Sequence, residues 1–235
     1  MRLDKFLSEV GLGSRKEVKQ LIKKGQVKVN QVVVKSDKTQ VDPEKDQIAF
    51  LDAPLIYQEF YYYVLNKPAG VISATSDPVH RTVLDLFSSE DYRTDLFPVG
   101  RLDKDTEGLL IITNDGELGH QLLSPKKHVE KEYFAEISGI MDQADQEKFE
   151  VGIILAGEKM LPAKLMIDEV TAVTSKVRII LQEGKFHQVK RMVKACGKEV
   201  TYLKRIRMGQ LTLPVDLKKG QYRALTDEEL VKLKE

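Results

Sequence analysis

Apolar residues at the start of the chain follow a helical rhythm. Leu3, Phe6, Leu7 and Val10 recur at i, i+3, i+4 and i+7, which predicts an amphipathic helix. Gly11 and Gly13 interrupt it. Ser14 then begins Ser-Arg-Lys-Glu, a capping box with Ser14 at the N-cap and Glu17 three residues on. Val18, Leu21 and Ile22 form the stripe of this second helix, and Gly25 is placed to end it. Arg15, Lys16, Lys19 and Lys23 fall off the stripe and are free to face a ligand. Val27, Val29, Val32 and Val34 flank Asn30-Gln31, the pattern of a short β-hairpin. Gln31 stands where a turn glycine is usual, but Asn30 tolerates a left-handed backbone. Pro43 and Asp52-Ala53-Pro54 mark a linker, so a first domain is expected over residues 1–58 and a second over 59–235.

The second domain opens on Phe60-Tyr61-Tyr62-Tyr63-Val64-Leu65-Asn66, a strand by its aromatic and β-branched content. Lys67-Pro68-Ala69-Gly70 stops it, because proline removes an amide donor and glycine allows close backbone approach. Residues 82–87 read as helical. Leu109–Thr113 is an apolar run of strand length, and 115–123 reads as a short helix in which His120 is a surface or capping residue. Residues 130–137 alternate as a strand, 142–150 form an acidic solvated helix, and 161–170 and 177–181 give further strands. Val189, Met192, Val193 and Cys196 return to helical spacing before Gly197, leaving Lys190, Arg191 and Lys194 off the stripe and Lys185 in the preceding loop. Thr226-Asp227-Glu228-Glu229 is a second capping box, opening a C-terminal helix.

Composition adds less than charge placement. The chain has 235 residues, 42% of them hydrophobic, and a formal net charge of +1. No apolar run reaches membrane-spanning length, and Met1-Arg2-Leu3-Asp4 offers no signal-peptide core, so a cytoplasmic protein without membrane contact is expected. The single cysteine, Cys196, fits a reducing compartment, and no metal-ligand cluster is visible among it and four scattered histidines. Residues 1–40 hold ten Lys/Arg against four Asp/Glu, and residues 183–210 hold eight against two. Residues 85–110 hold seven acids against three bases. Two basic zones thus flank an acidic one. Such zones neutralise phosphates, although a lysine-rich helix is also an ordinary solvated face.

The acidic zone contains Gly100-Arg101-Leu102-Asp103-Lys104-Asp105-Thr106-Glu107-Gly108, leading directly into Leu109-Leu110-Ile111-Ile112-Thr113. If this segment is extended, Asp103, Asp105 and Glu107 share a face; if it is a tight loop, they spread. The run through Asn114-Asp115-Gly116 resembles the central motif of the RNA pseudouridine synthases, in the branch that modifies ribosomal RNA at single uridines. Residues 67–71 resemble the family's first motif, a structural turn. Glu183-Gly184-Lys185-Phe186-His187-Gln188-Val189-Lys190-Arg191-Met192 resembles its third. Residues 1–50 are similar to an S4-type RNA-binding domain.

The resemblance implies an α+β fold, with a small S4-like domain and a catalytic domain built on a mainly antiparallel mixed sheet whose cleft crosses one face. It implies Asp103 as the catalytic carboxylate, Tyr133 as the aromatic that stacks on the target base, and Lys185 as the cation paired with Asp103. Arg101 is expected either to fill the space left by a flipped base or to serve as a phosphate contact or ion pair. Arg2, Arg15, Lys16, Lys19, Lys190 and Arg191 are the further RNA-binding candidates. The reaction detaches uracil from its ribose, turns it and rejoins it through carbon, so no cofactor, oxidant or metal is called for. A carboxylate suits that chemistry, as a nucleophile at the anomeric carbon or a base at its neighbour. It must stay ionised, which a nearby cation favours. The third motif and the tail Gly220-Gln221-Tyr222-Arg223-Ala224-Leu225-Thr226 look most like enzymes acting on small-subunit (16S) ribosomal RNA. Large-subunit (23S) RNA is the alternative target, and a non-catalytic RNA-binding assembly factor or a glycosidase of free nucleosides the alternative functions. The expected partner is ribosomal RNA or a ribosome assembly intermediate, bound by a monomer.

Overall fold

In the computed structural model, which describes residues 1–124 and 127–234, the N-terminal stripe becomes helix α1 (Leu3–Glu9). Leu3, Phe6 and Leu7 are buried. Helix α2 (Arg15–Lys23) starts at Ser14, whose hydroxyl accepts from the Glu17 amide while Glu17 accepts from the Ser14 amide, so the capping box is formed in both directions. Strands β1 (Val27–Val29) and β2 (Val32–Val33) make the hairpin, with Asn30 and Gln31 both at positive φ (50° and 71°). Asn30 is fixed there by Asp46 and the Gln47 amide. With β3 (Ile48–Phe50) and β4 (Ala53–Leu55) they form a four-stranded antiparallel sheet in the order β2-β1-β3-β4. Leu3, Phe6, Leu7, Val18, Ile22, Val27, Val41 and Ile48 are its core. The compact unit ends at Glu59, and a second runs from Phe60.

The second unit is built on β5 (Tyr62–Lys67), β6 (Phe97–Pro98), β7 (Glu107–Thr113), β8 (Lys131–Ser138), the small hairpin β9 (Ile154–Leu155) and β10 (Glu158–Lys159), β11 (Lys164–Val170), β12 (Thr174–Leu181), β13 (Glu199–Met208), β14 (Leu211–Thr212) and β15 (Tyr222–Ala224). Its main sheet runs β11-β12-β8-β13-β7-β5-β15, with β6 and β14 on its flanks. The β13–β7 pairing is parallel and its other ladders are antiparallel, so the mixed, mainly antiparallel sheet of an α+β fold is present. Helices α4 (Gln143–Val151) and α5 (Gln188–Ala195) cover one face through Phe149, Val189, Met192 and Val193. Helices α3 (Gly116–Leu123) and α6 (Asp227–Lys234) cover the other through Leu118, Leu122 and Leu233. That explains the unbroken apolar run of β7: Leu110 and Ile112 enter one core while Leu109 and Ile111 enter the other.

Three local expectations change. The stretch expected as a linker is folded: Ala53–Leu55 is strand β4, paired with β3 within the first unit. Residues 82–87 hold only a 3-10 turn, Leu84–Leu86. Asp85 accepts from the Thr82 amide and hydroxyl, closing one turn, and Phe87 then extends to stack on Tyr222 at 4.0 Å. The acidic helix 142–150 is not all solvated surface. Asp145 and Phe149 on α4 are buried, and the Asp145 carboxylate accepts from Lys198 at 2.6 Å.

Candidate active site

The acidic motif lies in the connection from β6 to β7. These strands pair, and the Val99 amide continues the ladder to the Ile111 carbonyl, so residues 100–106 project from the end of a hairpin. The loop is anchored at its root. Leu102 is buried, and the Ser73 hydroxyl accepts from its amide and donates to its carbonyl, both at 3.0 Å. The Thr106 amide closes a turn onto the Asp103 carbonyl. Beneath sits the Lys67 ammonium, donating to the carbonyls of Pro68 (3.1 Å), Asp103 (3.0 Å) and Thr106 (2.8 Å). Burial pushes Lys67 down to about 8, against the opposing pull of Asp105 and Asp103. Lys67 therefore does more than end a strand: it pins the loop backbone from below.

The three carboxylates spread, as a tight loop requires. Asp103 and Asp105 converge on Lys190, at 3.0 Å and 2.6 Å. Glu107, already in β7, turns away to accept from the Tyr202 hydroxyl and pair with Lys219, each at 2.6 Å. Burial pulls the Lys190 ammonium down, but its bonds to Asp105 and Asp103 outweigh this and raise it overall. The same Lys190 bond lowers Asp105.

Lys190 thus occupies the place expected for Lys185. The reason lies in the turn before α5. Glu183 is buried and bonded by the Leu161 amide and the Gln188 side chain. Lys185 follows it and gives its charge to Glu158 (2.7 Å) and Glu183 (3.4 Å). His187 adopts a left-handed backbone, φ 49° and ψ 33°, and α5 starts from it. With Val189, Met192 and Val193 buried, Lys190 faces away from the core toward the Asp103 loop. His187 Nε2 comes within 3.5 Å of Asp103 Oδ1, a neighbour absent from the sequence expectation.

A cavity of about 60 Å³ joins these parts. Arg101, Asp103 and Thr106 form one wall, Tyr133 and Leu203 come from the sheet, and Leu181, Lys185, His187 and Lys190 complete it. Tyr133 is 9% exposed, opposite Arg205 on β13 and Ile179 on β12. Arg101 is exposed and makes no ion pair among the described residues. The expected residues Arg101, Asp103, Tyr133, Lys185 and Lys190 therefore share one cleft. Arg191 lies on the same helix outside its lining.

The N-terminal candidates divide differently. Arg15 and Lys16 are exposed at the start of α2. Arg2 is instead forked onto Asp4 (3.0 and 2.9 Å) and reaches Asp37, and Lys19 pairs with the same two carboxylates. Their charge is matched within the fold, because buried Asp4 needs cations beside it. Lys19, expected to be free to face a ligand, is paired within the unit, and so is the RNA-binding candidate Arg2.

The second unit thus carries a polar cleft with a paired carboxylate and an aromatic wall, and the first a helix-and-hairpin unit with exposed bases at Arg15 and Lys16. Residues 61–195 match the RNA pseudouridylate synthase family and residues 1–48 match the S4 domain. The chain belongs to the RNA pseudouridylate synthase family and is an isomerase. It is 47% identical to an uncharacterized RNA pseudouridine synthase of Bacillus subtilis, over 100% of this chain and 99% of the relative. It is 38% identical to the ribosomal small subunit pseudouridine synthase A of Escherichia coli K12, over 98% of each. A crystal structure of a pseudouridylate synthase superposes with a TM-score of 0.69 at 36% identity, covering 99% of both chains.

Proposed function

We propose that this enzyme converts a single uridine of small-subunit (16S) ribosomal RNA to pseudouridine, with Asp103 as the catalytic carboxylate. The observation that carries the chemistry is the placement of Asp103. It is a partly exposed carboxylate at a cleft, on a loop pinned from below, with Lys190 at 3.0 Å and Tyr133 in the same cavity. The target rests on the relatives named for the small ribosomal subunit, which align over nearly their whole length.

The bond from uracil N1 to the ribose breaks, a bond from C5 to the same carbon forms, and the C5 proton leaves to solvent as N1 gains one. No electrons are gained or lost. Asp103 acts at the sugar, as nucleophile on the anomeric carbon or as base on its neighbour. Lys190, 3.0 Å from Asp103, pairs with it and holds its carboxylate in position at the cleft. Tyr133 and Leu203 hold the detached base while it turns. The uridine must leave its stack first, at a cost of a few kcal/mol, and exposed Arg101 is placed to enter the vacancy. We further propose that the enzyme acts as a monomer in the cytoplasm, on ribosomal RNA or an assembly intermediate.

The test is tritium release from uracil-labelled small- and large-subunit RNA, with wild type and Asp103→Asn in parallel. Release from small-subunit RNA alone, absent in the variant, is the expected result. Release from large-subunit RNA would overturn the target, and release surviving in Asp103→Asn would overturn the catalytic assignment.

A further inference from the structure

Between Lys185 and His187, both of which line the Asp103 cavity, stands Phe186, with 73% of its surface exposed. A lone exposed phenylalanine is ordinary. This one is held in place. Its ring stacks face to face on the His187 ring, with centroids 3.8 Å apart and planes 18° from parallel. His187 has the left-handed backbone, which a non-glycine residue adopts at a cost, and such strain gathers where position matters. His187 also approaches Asp103 at 3.5 Å. The order is therefore carboxylate, imidazole and phenyl ring, with the outer face of the phenyl ring open to solvent. Arg191 is close behind, its guanidinium 3.4 Å from the Phe186 carbonyl. Aromatic faces interleaved with cations are how proteins hold unpaired bases, since every base offers a π-face and every nucleotide a phosphate.

We infer that Phe186, backed by His187, is a stacking step for the nucleobase next to the target uridine. It holds the opened strand in place while the uridine occupies the cavity. The inference deepens the functional reading of the same cleft and rests on it for the identity of the neighbouring uridine. Phe186 is a positioning residue: it has no contact with the reacting atoms and acts through the strand it holds.

The experiment uses the full chain and a short single-stranded RNA in which 2-aminopurine stands beside a uridine. Binding and fluorescence quenching are measured for wild type, Phe186→Ala, Phe186→Leu and Phe186→Trp, with turnover on ribosomal RNA measured separately. Stacking predicts that the Ala and Leu variants lose the quench and bind about 5- to 150-fold more weakly, while Trp restores both. On ribosomal RNA, KM rises in the Ala variant and kcat at saturating RNA is kept. Because the ring is exposed, the Ala variant should melt as wild type does. Quenching and affinity unchanged in Phe186→Ala would overturn the step, as would full function in Phe186→Leu, which keeps apolar bulk without a π-face. If wild type turns over RNA but Phe186→Ala matches it in KM and quench, the step fails and the function stands. If wild type turns over neither RNA but quenches through Phe186, the function fails and with it the uridine's identity, while base stacking on Phe186 stands.

Discussion

At the residue scale, the cation on Asp103 is the most direct thing to test. Lys190→Met leaves Asp103 and Asp105 facing each other without their shared ammonium, and kcat should fall by tenfold or more, about 1.4 kcal/mol or above in transition-state terms. Lys185→Met, which cuts bonds to Glu158 and Glu183 instead, should retain far more activity in the same tritium-release assay. The reverse order would return the ion-pair role to Lys185. Lys131 offers a separate test on stability. It is 5% exposed beside the Arg205 charge, and burial, with that neighbour, pushes it down to about 8. In the unfolded chain it titrates near its ordinary value, about 10.4. Between these values the unfolded state binds the extra proton, so the contribution to stability is present above about pH 10.4 and lost as pH falls through about 8. Lys67, also pushed down to about 8, works in the same direction. Lys131→Met should raise the unfolding free energy at pH 7 by about 2 kcal/mol and flatten its rise toward pH 10, as read from urea titrations at each pH.

At the element scale, the parallel seam between β7 and β13 depends on Gly108. Its φ is +103°, and a Cβ there would lie 2.2 Å from the Arg205 carbonyl oxygen. Gly108→Ala should therefore cost more than about 3 kcal/mol and displace the Asp103 loop that β7 continues, with circular dichroism melting as the measure. Much of the element structure was legible in the sequence. The stripes of α1, α2 and α5, the capping boxes at Ser14 and Thr226, and the strand at Leu109–Thr113 are local signals, and all are present. The misreadings had non-local causes. The helix expected over 82–87 stops after one turn because Phe87 finds Tyr222 from the far end of the chain, and Asp145 is buried because β13 begins next to Lys198. On α2, only the bases without internal partners should feel RNA phosphates. Replacing Arg15 and Lys16 by alanine should weaken RNA binding and reduce the salt slope of log K by about 1.5, whereas Lys19→Ala should change that slope little.

At the scale of the whole molecule, the described residues form three cores that share no residue: one within the first unit, and one on each face of the main sheet in the second. Each unit buries its own apolar surface, so calorimetry should resolve two transitions. Leu7→Ala, removing a fully buried side chain, should lower the transition of the first unit by about 2–5 kcal/mol of stability and leave the second in place. A single transition shifted as a whole would mean the units fold as one.

By itself, the sequence determined the strongly periodic helices and strands, the capped helix starts and which short runs resemble chemistry-bearing motifs, because periodicity, capping and motif order are properties of neighbours along the chain. It also brought Asp103, Tyr133 and the third motif into view as one likeness. Tertiary structure decided how the charges pair. Lys185, the expected partner, and Lys190 both belong to the third motif and both line the cleft with Asp103. Buried Glu183 and the β10 carboxylate Glu158 claim the first, and the left-handed turn at His187 delivers the second. The same holds for Lys67, whose role exists only because β5 ends beneath the loop leading into β7. An ammonium bonds to whichever acceptors the fold brings within about 3 Å, and the order of residues does not say which those are.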